Sequence, residues 1–261
     1  MRKYAAELIG TFFLVFTIVT TVLSGATLAP LAIGVTLTAM VFAGGHISGA
    51  HFNPAVTLAV WIRGKIDTKD VPGYVVAQIV GAIAAAEIAH LVTGKDASSA
   101  LTFSGGKLGA AFIAEALVTF ALAYVVLNVA TSSDHPNNSF YGLAIGLTVM
   151  AGAIAVGGIS GGVFNPAVAF GVSTAGLVSW SMLWVYVIAD CAGAAGAALV
   201  FRALNPGEWA PASFGPAHAV GAGTAEGAAA AVIAAAGEGT FADGGVSTPH
   251  SAAEASETAR L

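Results

Sequence analysis

The pentapeptide Phe-Asn-Pro-Ala-Val occurs twice in this sequence, at residues 52–56 and 164–168. Proline suits the first residue of a helix, where its missing N–H leaves no hydrogen bond unmade, and asparagine is a preferred cap directly before it. Each copy therefore predicts the start of a helix. The apolar stretches that follow, 54–61 and 166–174, extend only about 12 to 14 Å as helix, roughly half the thickness of a bilayer core. The motif residues are Asn53, Pro54, Ala55, Asn165, Pro166 and Ala167.

The start of each short helix has the polar groups that a channel for neutral solutes needs. A helix N-terminus carries about half a positive elementary charge, so two such ends at one point repel cations. The side-chain amides of Asn53 and Asn165 donate hydrogen bonds to a passing oxygen, while nearby carbonyls accept them. The glycine-rich segments before the motifs have non-helical backbone, which survives at membrane depth only when buried in protein or lining a wet cavity. The predicted lining residues there are Gly49, Ala50, His51, Gly161 and Val163.

The composition places these motifs in a membrane protein. Only 9% of the 261 residues are charged, whereas 57% are apolar and the mean hydropathy is +0.84. An average soluble domain has about 25% charged residues, so this chain has too few to cover a globule of its size and too many apolar ones for a disordered chain. The net charge of −5 argues against a nucleic-acid partner. No histidines and carboxylates stand at metal-ligand spacing.

Six apolar runs are long enough, or nearly so, to cross a bilayer as helices. The second and fifth run into glycine pairs and are therefore predicted to be short. A basic start before an apolar stretch is also typical of a secretory signal, but Glu7 interrupts its apolar core, and we expect the segment to be retained. The predicted spans are 4–23, 30–43, 72–92, 110–130, 140–156 and 180–201.

An internal repeat relates the first three spans to the last three. Residues 31–34 recur at 143–146 and 47–49 at 159–161, both shifted by 112 positions, like the two pentapeptides. Each repeat, about 4–92 and 110–202, holds an odd number of spans, so the second copy must enter the bilayer from the opposite side. The predicted fold is an all-α membrane protein with six transmembrane helices and two re-entrant half-helices in two inverted three-helix repeats.

The distribution of basic residues predicts the orientation. With the N-terminus inside the cell, six lysines and arginines lie in or beside cytoplasmic segments and only two lie outside, as the positive-inside rule favours. Both termini are then cytoplasmic. We assign residues 1–204 to the transmembrane channel domain, and we predict that 205–261, rich in Ala, Gly, Pro, Ser and Thr, form a disordered cytoplasmic tail.

The repeated motifs resemble those of the aquaporins, also called major intrinsic proteins. The resemblance covers about residues 4–202 and is most specific over 46–57, which read His-Ile-Ser-Gly-Ala-His-Phe-Asn-Pro-Ala-Val-Thr. It implies six spans plus two half-helices, one pore in each subunit, and a homotetramer in the cell membrane.

The resemblance also implies a selectivity filter near the extracellular side of the pore. Water channels of the family build it from an aromatic residue, a histidine, a small residue and an arginine three positions after the second asparagine. The matching positions here are Ile33, Ala153, Gly162 and Val168. We therefore expect a wider and more apolar filter that lacks a fixed cation. The acidic residue that follows the second motif in glycerol facilitators is replaced by Ala169.

Several ionisable residues lie within the predicted spans. Glu7 and Glu115 are equivalent in the repeat, and they are either titrating sites of a transporter or buried acceptors for the irregular backbone before each half-helix. We favour the structural role, because those backbone N–H groups need acceptors. Asp190 stands opposite Gln78 in the repeat, which indicates a polar contact between spans or subunits. His51 is expected to pack in the first loop, with a pH effect on the pore as the alternative.

These patterns predict a passive channel for water and small uncharged solutes such as glycerol, urea and ammonia. It is not an enzyme and needs no cofactor; its expected partners are the lipid bilayer, the solutes and further copies of itself. Two alternatives stay open. A proton-coupled secondary transporter of inverted-repeat type needs a titrating site at the midplane and concentrates its solute. A structural tetrameric membrane protein shows little permeability.

Overall fold

The computed structural model describes residues 1–208. In this part of the chain the secondary structure is helical, without strands, and six helices are long and apolar enough to cross a membrane. The predicted fold class is therefore confirmed. The helices are α1 (Arg2–Leu23), α2 (Ala29–Ser48), α3 (Pro54–Ile62), α4 (Val71–Thr93), α5 (Gly106–Thr131), α6 (Tyr141–Ser160), α7 (Pro166–Thr174) and α8 (Leu183–Leu204).

Helices α2 and α6 are longer than their predicted spans, which ended at residues 43 and 156. Both continue through their glycine pairs to Ser48 and Ser160 and end at Gly49 and Gly161, whose φ angles are +86° and +95°. The glycines at 44–45 serve close packing, because a Cβ on Gly44 would lie 2.8 Å from the Phe52 ring. The predicted ends were therefore wrong, because the glycine pairs remain helical. Each helix ends only at the next glycine, which has a left-handed conformation.

The long helices pack in the same pattern within each repeat. Helix α1 packs against α2 and α4, α5 packs against α6 and α8, and α2 meets α6 between the repeats. Glycines allow the closest approaches: a Cβ on Gly81 would lie 2.5 Å from the carbonyl oxygen of Leu8, and one on Gly193 would lie 2.2 Å from that of Ala116. Close helix packing through small residues is typical of membrane proteins.

The two half-helices connect the repeats. Helix α3, from the first repeat, packs against α5 and α8 of the second, whereas α7, from the second repeat, packs against α4 and α1 of the first. Their nine residues each correspond to about half the thickness of a bilayer core. The predicted half-helix ranges, 54–61 and 166–174, agree with the structure to within one residue.

The described chain continues four residues past the boundary predicted at residue 204. A 3-10 turn over Pro206–Glu208 brings Glu208 against buried Arg63, which donates to the Glu208 carbonyl at 2.7 Å and pairs with its carboxylate. The Glu208 carboxylate also accepts a hydrogen bond from the Ser132 hydroxyl, at 2.9 Å, in the segment between α5 and α6. The remainder of the predicted tail, from residue 209, lies outside the described residues.

Candidate functional site

Asn53 and Asn165 cap the two half-helices. Each has extended backbone, with φ near −160°, and its Oδ1 accepts hydrogen bonds from the backbone N–H groups of the second and third residues that follow it. The Oδ1 to N distances are 2.8 and 3.4 Å at Asn53 and 2.9 and 3.4 Å at Asn165. The two helix starts are therefore built alike, as the repeated pentapeptide predicted.

The two asparagines also join the repeats directly. The Asn53 Nδ2 donates to the Phe164 carbonyl oxygen at 2.9 Å, and the Asn165 Nδ2 donates to the Phe52 carbonyl oxygen at 2.8 Å. Each asparagine is therefore bonded to the residue that directly precedes the other, which brings the two helix N-termini close together. Each amide uses one of its two N–H groups in this contact, so the second N–H can donate elsewhere.

The loops before the asparagines have an unusual backbone. Ala50, Phe52 and Phe164 have positive φ angles of 52°, 48° and 51°, a region that costs a non-glycine residue about 1 kcal/mol or more. Packing compensates for this cost at Phe52, which is 1% exposed. A Cβ on Gly10 would lie 2.2 Å from the Phe52 ring, so this glycine leaves the space that the ring fills.

Glu7 anchors the first loop from within α1. Its side chain is fully buried. One carboxylate oxygen accepts from the Ser48 hydroxyl at 2.7 Å and the His51 N–H at 2.9 Å, and the other accepts from the Phe52 N–H and the Gln78 amide, both at 2.7 Å. Four donors on one carboxylate are the pattern expected of a buried structural acceptor.

Glu115 anchors the second loop in the same way from α5. It accepts from the Ser160 hydroxyl at 2.5 Å and from the N–H groups of Val163 and Phe164 at 3.0 and 2.6 Å. In the first repeat, the fourth donor to the glutamate is Gln78. The equivalent residue in the second repeat is Asp190, whose carboxyl interacts with that of Glu115. Sequence reasoning left the contact of Asp190 open, and the structure places it beside Glu115 within its own subunit.

A first cavity of about 360 Å³ lies beside both asparagines. All four residues matched to the family filter, Ile33, Ala153, Gly162 and Val168, line it. Its described lining includes polar side chains only at His51, Asn53 and Asn165, and includes no charged residue. Hydrogen-bonding side chains are thus confined to the level of the half-helix starts, with aliphatic walls along the rest.

A second cavity of about 600 Å³ adjoins the first, because His51 and Val126 line both. Its lining is more polar than that of the first cavity, and includes Lys3, His46, Lys65, His135 and Asn138. His51 lies at the junction: its Nδ1 is 3.1 Å from the Thr57 hydroxyl, and its ring centroid is 5.1 Å from that of Tyr74. The ring therefore packs within the loop, at the junction of the two cavities.

Comparison with known proteins agrees with this architecture. The chain matches the major intrinsic protein family over residues 1–201 and again over 138–237. Glycerol uptake facilitator protein-like 6 of Lactiplantibacillus plantarum is 45% identical over 214 residues, which cover 78% of this chain and 99% of the relative. Aquaporin NIP1-4 of Oryza sativa subsp. japonica is 36% identical over 213 residues, covering 78% and 77%.

A solved structure shares the fold at low sequence identity. The aquaglyceroporin from Plasmodium falciparum superimposes with a TM-score of 0.66 at 22% identity, over 79% of this chain and 98% of that one. The chain is thus a multi-pass membrane protein of a family whose members are channels rather than enzymes. It belongs to the major intrinsic protein family, the family of the aquaporins and glycerol facilitators.

Proposed function

We propose that this protein is a passive channel for water and small uncharged solutes such as glycerol, urea or ammonia, and that the paired starts of α3 and α7 exclude ions. The observation that carries the proposal is the pair of reciprocal hydrogen bonds from Asn53 to the Phe164 carbonyl and from Asn165 to the Phe52 carbonyl. They bring two electropositive helix ends together beside a cavity that both asparagines line.

The filter residues support a preference wider than water alone. Ile33, Ala153, Gly162 and Val168 add aliphatic surface and backbone to the first cavity, with no charged or aromatic side chain among them. A solute with a carbon skeleton and a few hydroxyl or amide groups fits such a lining, because its apolar side meets the aliphatic wall. The names of the relatives are consistent with either water or glycerol.

Osmotic light scattering on proteoliposomes tests the proposal. We expect wild-type protein to accelerate water flow and the uptake of at least one polyol or urea over empty vesicles. Ala153→Trp should block both, because it fills the cavity beside the filter. Ile154→Trp is the matched control, since Ile154 is adjacent on α6 but 67% exposed. Equal fluxes in wild-type and empty vesicles would reject the channel, and accumulation against a gradient would indicate a transporter.

We further propose a homotetramer in the cell membrane with both termini in the cytoplasm. The positive-inside rule supports this orientation, and Lys3 and Lys65 both line the second cavity, which would then open to the cytoplasm. Impermeant thiol reagents on whole cells test it in a Cys191→Ser background. Asp134→Cys should be protected and Ser99→Cys labelled; the reverse would invert the topology. Mass measurement in detergent should give four subunits, and a monomer would contradict the tetramer.

A further inference from the structure

Asp190 is a fully buried acid in α8 that lines neither of the two cavities described above. It occupies the position of Gln78 in the inverted repeat, 112 residues apart, just as Glu115 occupies that of Glu7 at a shift of 108. The first repeat thus pairs a glutamate with an amide, and the second pairs a glutamate with a second acid. The contacts of Gln78 therefore indicate which hydrogen bond the residue at position 190 makes to Glu115.

In the first repeat, Gln78 acts as a hydrogen-bond donor. Its Nε2 donates to the Glu7 carboxylate at 2.7 Å and to the Thr57 hydroxyl at 3.0 Å. In the second repeat the position of Thr57 is taken by Ala169, which has no acceptor in its side chain. Only one acceptor is therefore left opposite Asp190, namely Glu115. A neutral carboxylic acid has one donor, which matches that requirement.

The surroundings of Asp190 suit the neutral acid and not its anion. Its Oδ1 accepts from the Thr119 hydroxyl at 3.0 Å, whereas its Oδ2 is buried without any donor. The carboxyl groups of Asp190 and Glu115 also interact with each other. Two adjacent buried carboxylates repel each other, and an unpaired buried charge is strongly disfavoured.

The other titratable groups near Asp190 do not compensate a second negative charge. The Tyr186 hydroxyl donates to the Ser160 carbonyl at 2.7 Å, and the thiol of Cys191, the next residue in α8, cannot carry a positive charge. Arg202, on the same helix, is twelve positions away, about 18 Å at about 1.5 Å per residue. Among the groups that act on Asp190 in the described structure, none is a cation.

We propose that Asp190 is a neutral carboxylic acid that shares a single proton with Glu115, and that it positions the second re-entrant loop as Gln78 does the first. The proton belongs on Asp190 because Glu115 already accepts from three donors, two of them backbone N–H groups of the loop. The donated hydrogen bond completes the coordination of Glu115. Asp190 is thus a positioning residue: it acts through Glu115 on the segment that ends at Asn165.

Infrared spectroscopy of the full-length protein tests the protonation directly. A neutral carboxylic acid has a carbonyl stretch that a carboxylate lacks and that shifts in D₂O. We expect this band in wild type at neutral pH and its loss in Asp190→Asn, which keeps a donor of nearly the same shape. Gln78→Glu is the matched counterpart: by putting a second acid opposite Glu7, it should add one such band. An unchanged spectrum in Asp190→Asn would overturn the proposal.

Permeability in proteoliposomes tests the positioning role. Asp190→Asn should keep solute flux within about twofold of wild type, because a neutral donor remains, whereas Asp190→Ala should lower it at least about fivefold by leaving Glu115 without its fourth donor. Failure of Asp190→Asn to fold would contradict the proposal, since a neutral donor would then not suffice. The infrared result does not depend on conduction, so failure of this proposal is distinguishable from failure of the proposed channel function.

Discussion

Replacing Asn165 by aspartate tests whether the paired half-helix ends exclude cations. The cap is retained, because a carboxylate oxygen can still accept from the N–H groups of Ala167 and Val168, which lie 2.9 and 3.4 Å from the present Oδ1. The charge, however, changes by one negative unit at the helix start itself. The helix end and two backbone N–H groups stabilise the ionised form of the new side chain.

The expected size of the effect follows from the charges involved. Two helix ends of about half a charge each amount to about one positive charge at the point where Asn53 and Asn165 meet. A cation about 4 Å away is repelled by about 4 kcal/mol at an effective dielectric constant of about 20. One aspartate cancels that charge. Because each 1.4 kcal/mol is about a factor of ten, the cation flux should rise by up to about three orders of magnitude.

Cation flux is measured in proteoliposomes that hold a potassium gradient, with a potential-sensitive dye. Asn165→Ser is the matched control, because serine also caps a helix but adds no charge. Both variants lose the hydrogen bond to the Phe52 carbonyl, so their water fluxes should fall to a similar extent, and only Asn165→Asp should leak cations. If Asn165→Asp conducts water and remains as cation-tight as the serine variant, the half-helix field does not exclude cations.

Three further changes test other parts of the structure. Val168→Arg should narrow the filter and lower glycerol flux at least about tenfold more than water flux, a difference of about 1.4 kcal/mol in barrier; an equal fall in both fluxes would contradict the assignment of Val168 to the filter. Gly193→Ala should destabilise the protein by about 1 to 3 kcal/mol in thermal unfolding, because its Cβ would lie 2.2 Å from a carbonyl oxygen of α5, whereas Gly109→Ala, where nothing lies within 4 Å, should not; equal melting temperatures would show that α5 and α8 can separate without cost. Burial raises the pKa of Glu208. Hydrogen bonds from the serines at 132 and 133 and the charge of Arg63 lower it by more than burial raises it, so the pKa lies below its ordinary value. This carboxylate therefore stabilises the fold fully above its ordinary pKa of 4.5, and the stabilisation is lost as the pH falls through the lowered pKa. Glu208→Gln should be less stable than wild type at pH 7 and equal to it in acid; a difference independent of pH would refute this assignment.

The features that sequence reasoning predicted are those that depend on local residue type or on the odd number of spans in each repeat. Asparagine and proline in series define a helix start whatever surrounds them, so the starts of α3 and α7 at Pro54 and Pro166 followed directly. Three spans in each repeat require inversion. The acceptor positions of Glu7 and Glu115 followed as well, because irregular backbone in a membrane needs buried acceptors nearby.

Features that depend on contacts between distant residues were not predictable in this way. Gly44 lies within α2 rather than at its end, and a Cβ there would lie 2.8 Å from the ring of Phe52. The contact of Arg63 with Glu208 joins residues 145 positions apart, and composition alone assigned Glu208 to a disordered tail. The role proposed for Asp190 depends on the finding that its Oδ2 has no hydrogen-bond donor. In each case the role of a polar or aromatic side chain depends on a contact with a residue far away in the sequence, which no local pattern indicates.

The lining of the first cavity supports the proposal that this channel excludes ions without a filter arginine. Valine follows Asn-Pro-Ala in both repeats, so Val56 and Val168 are equivalent, and both line the first cavity. Because this described lining holds no charged residue, an ion that entered the proposed channel would lose hydration against aliphatic walls, and the polar side chains that could replace it belong to His51, Asn53 and Asn165. There the helix ends favour anions and repel cations, but an anion must first cross the aliphatic stretch unaided. In the proposed channel, desolvation would thus oppose both signs of charge along the walls, and the helix ends would add the barrier that is specific to cations.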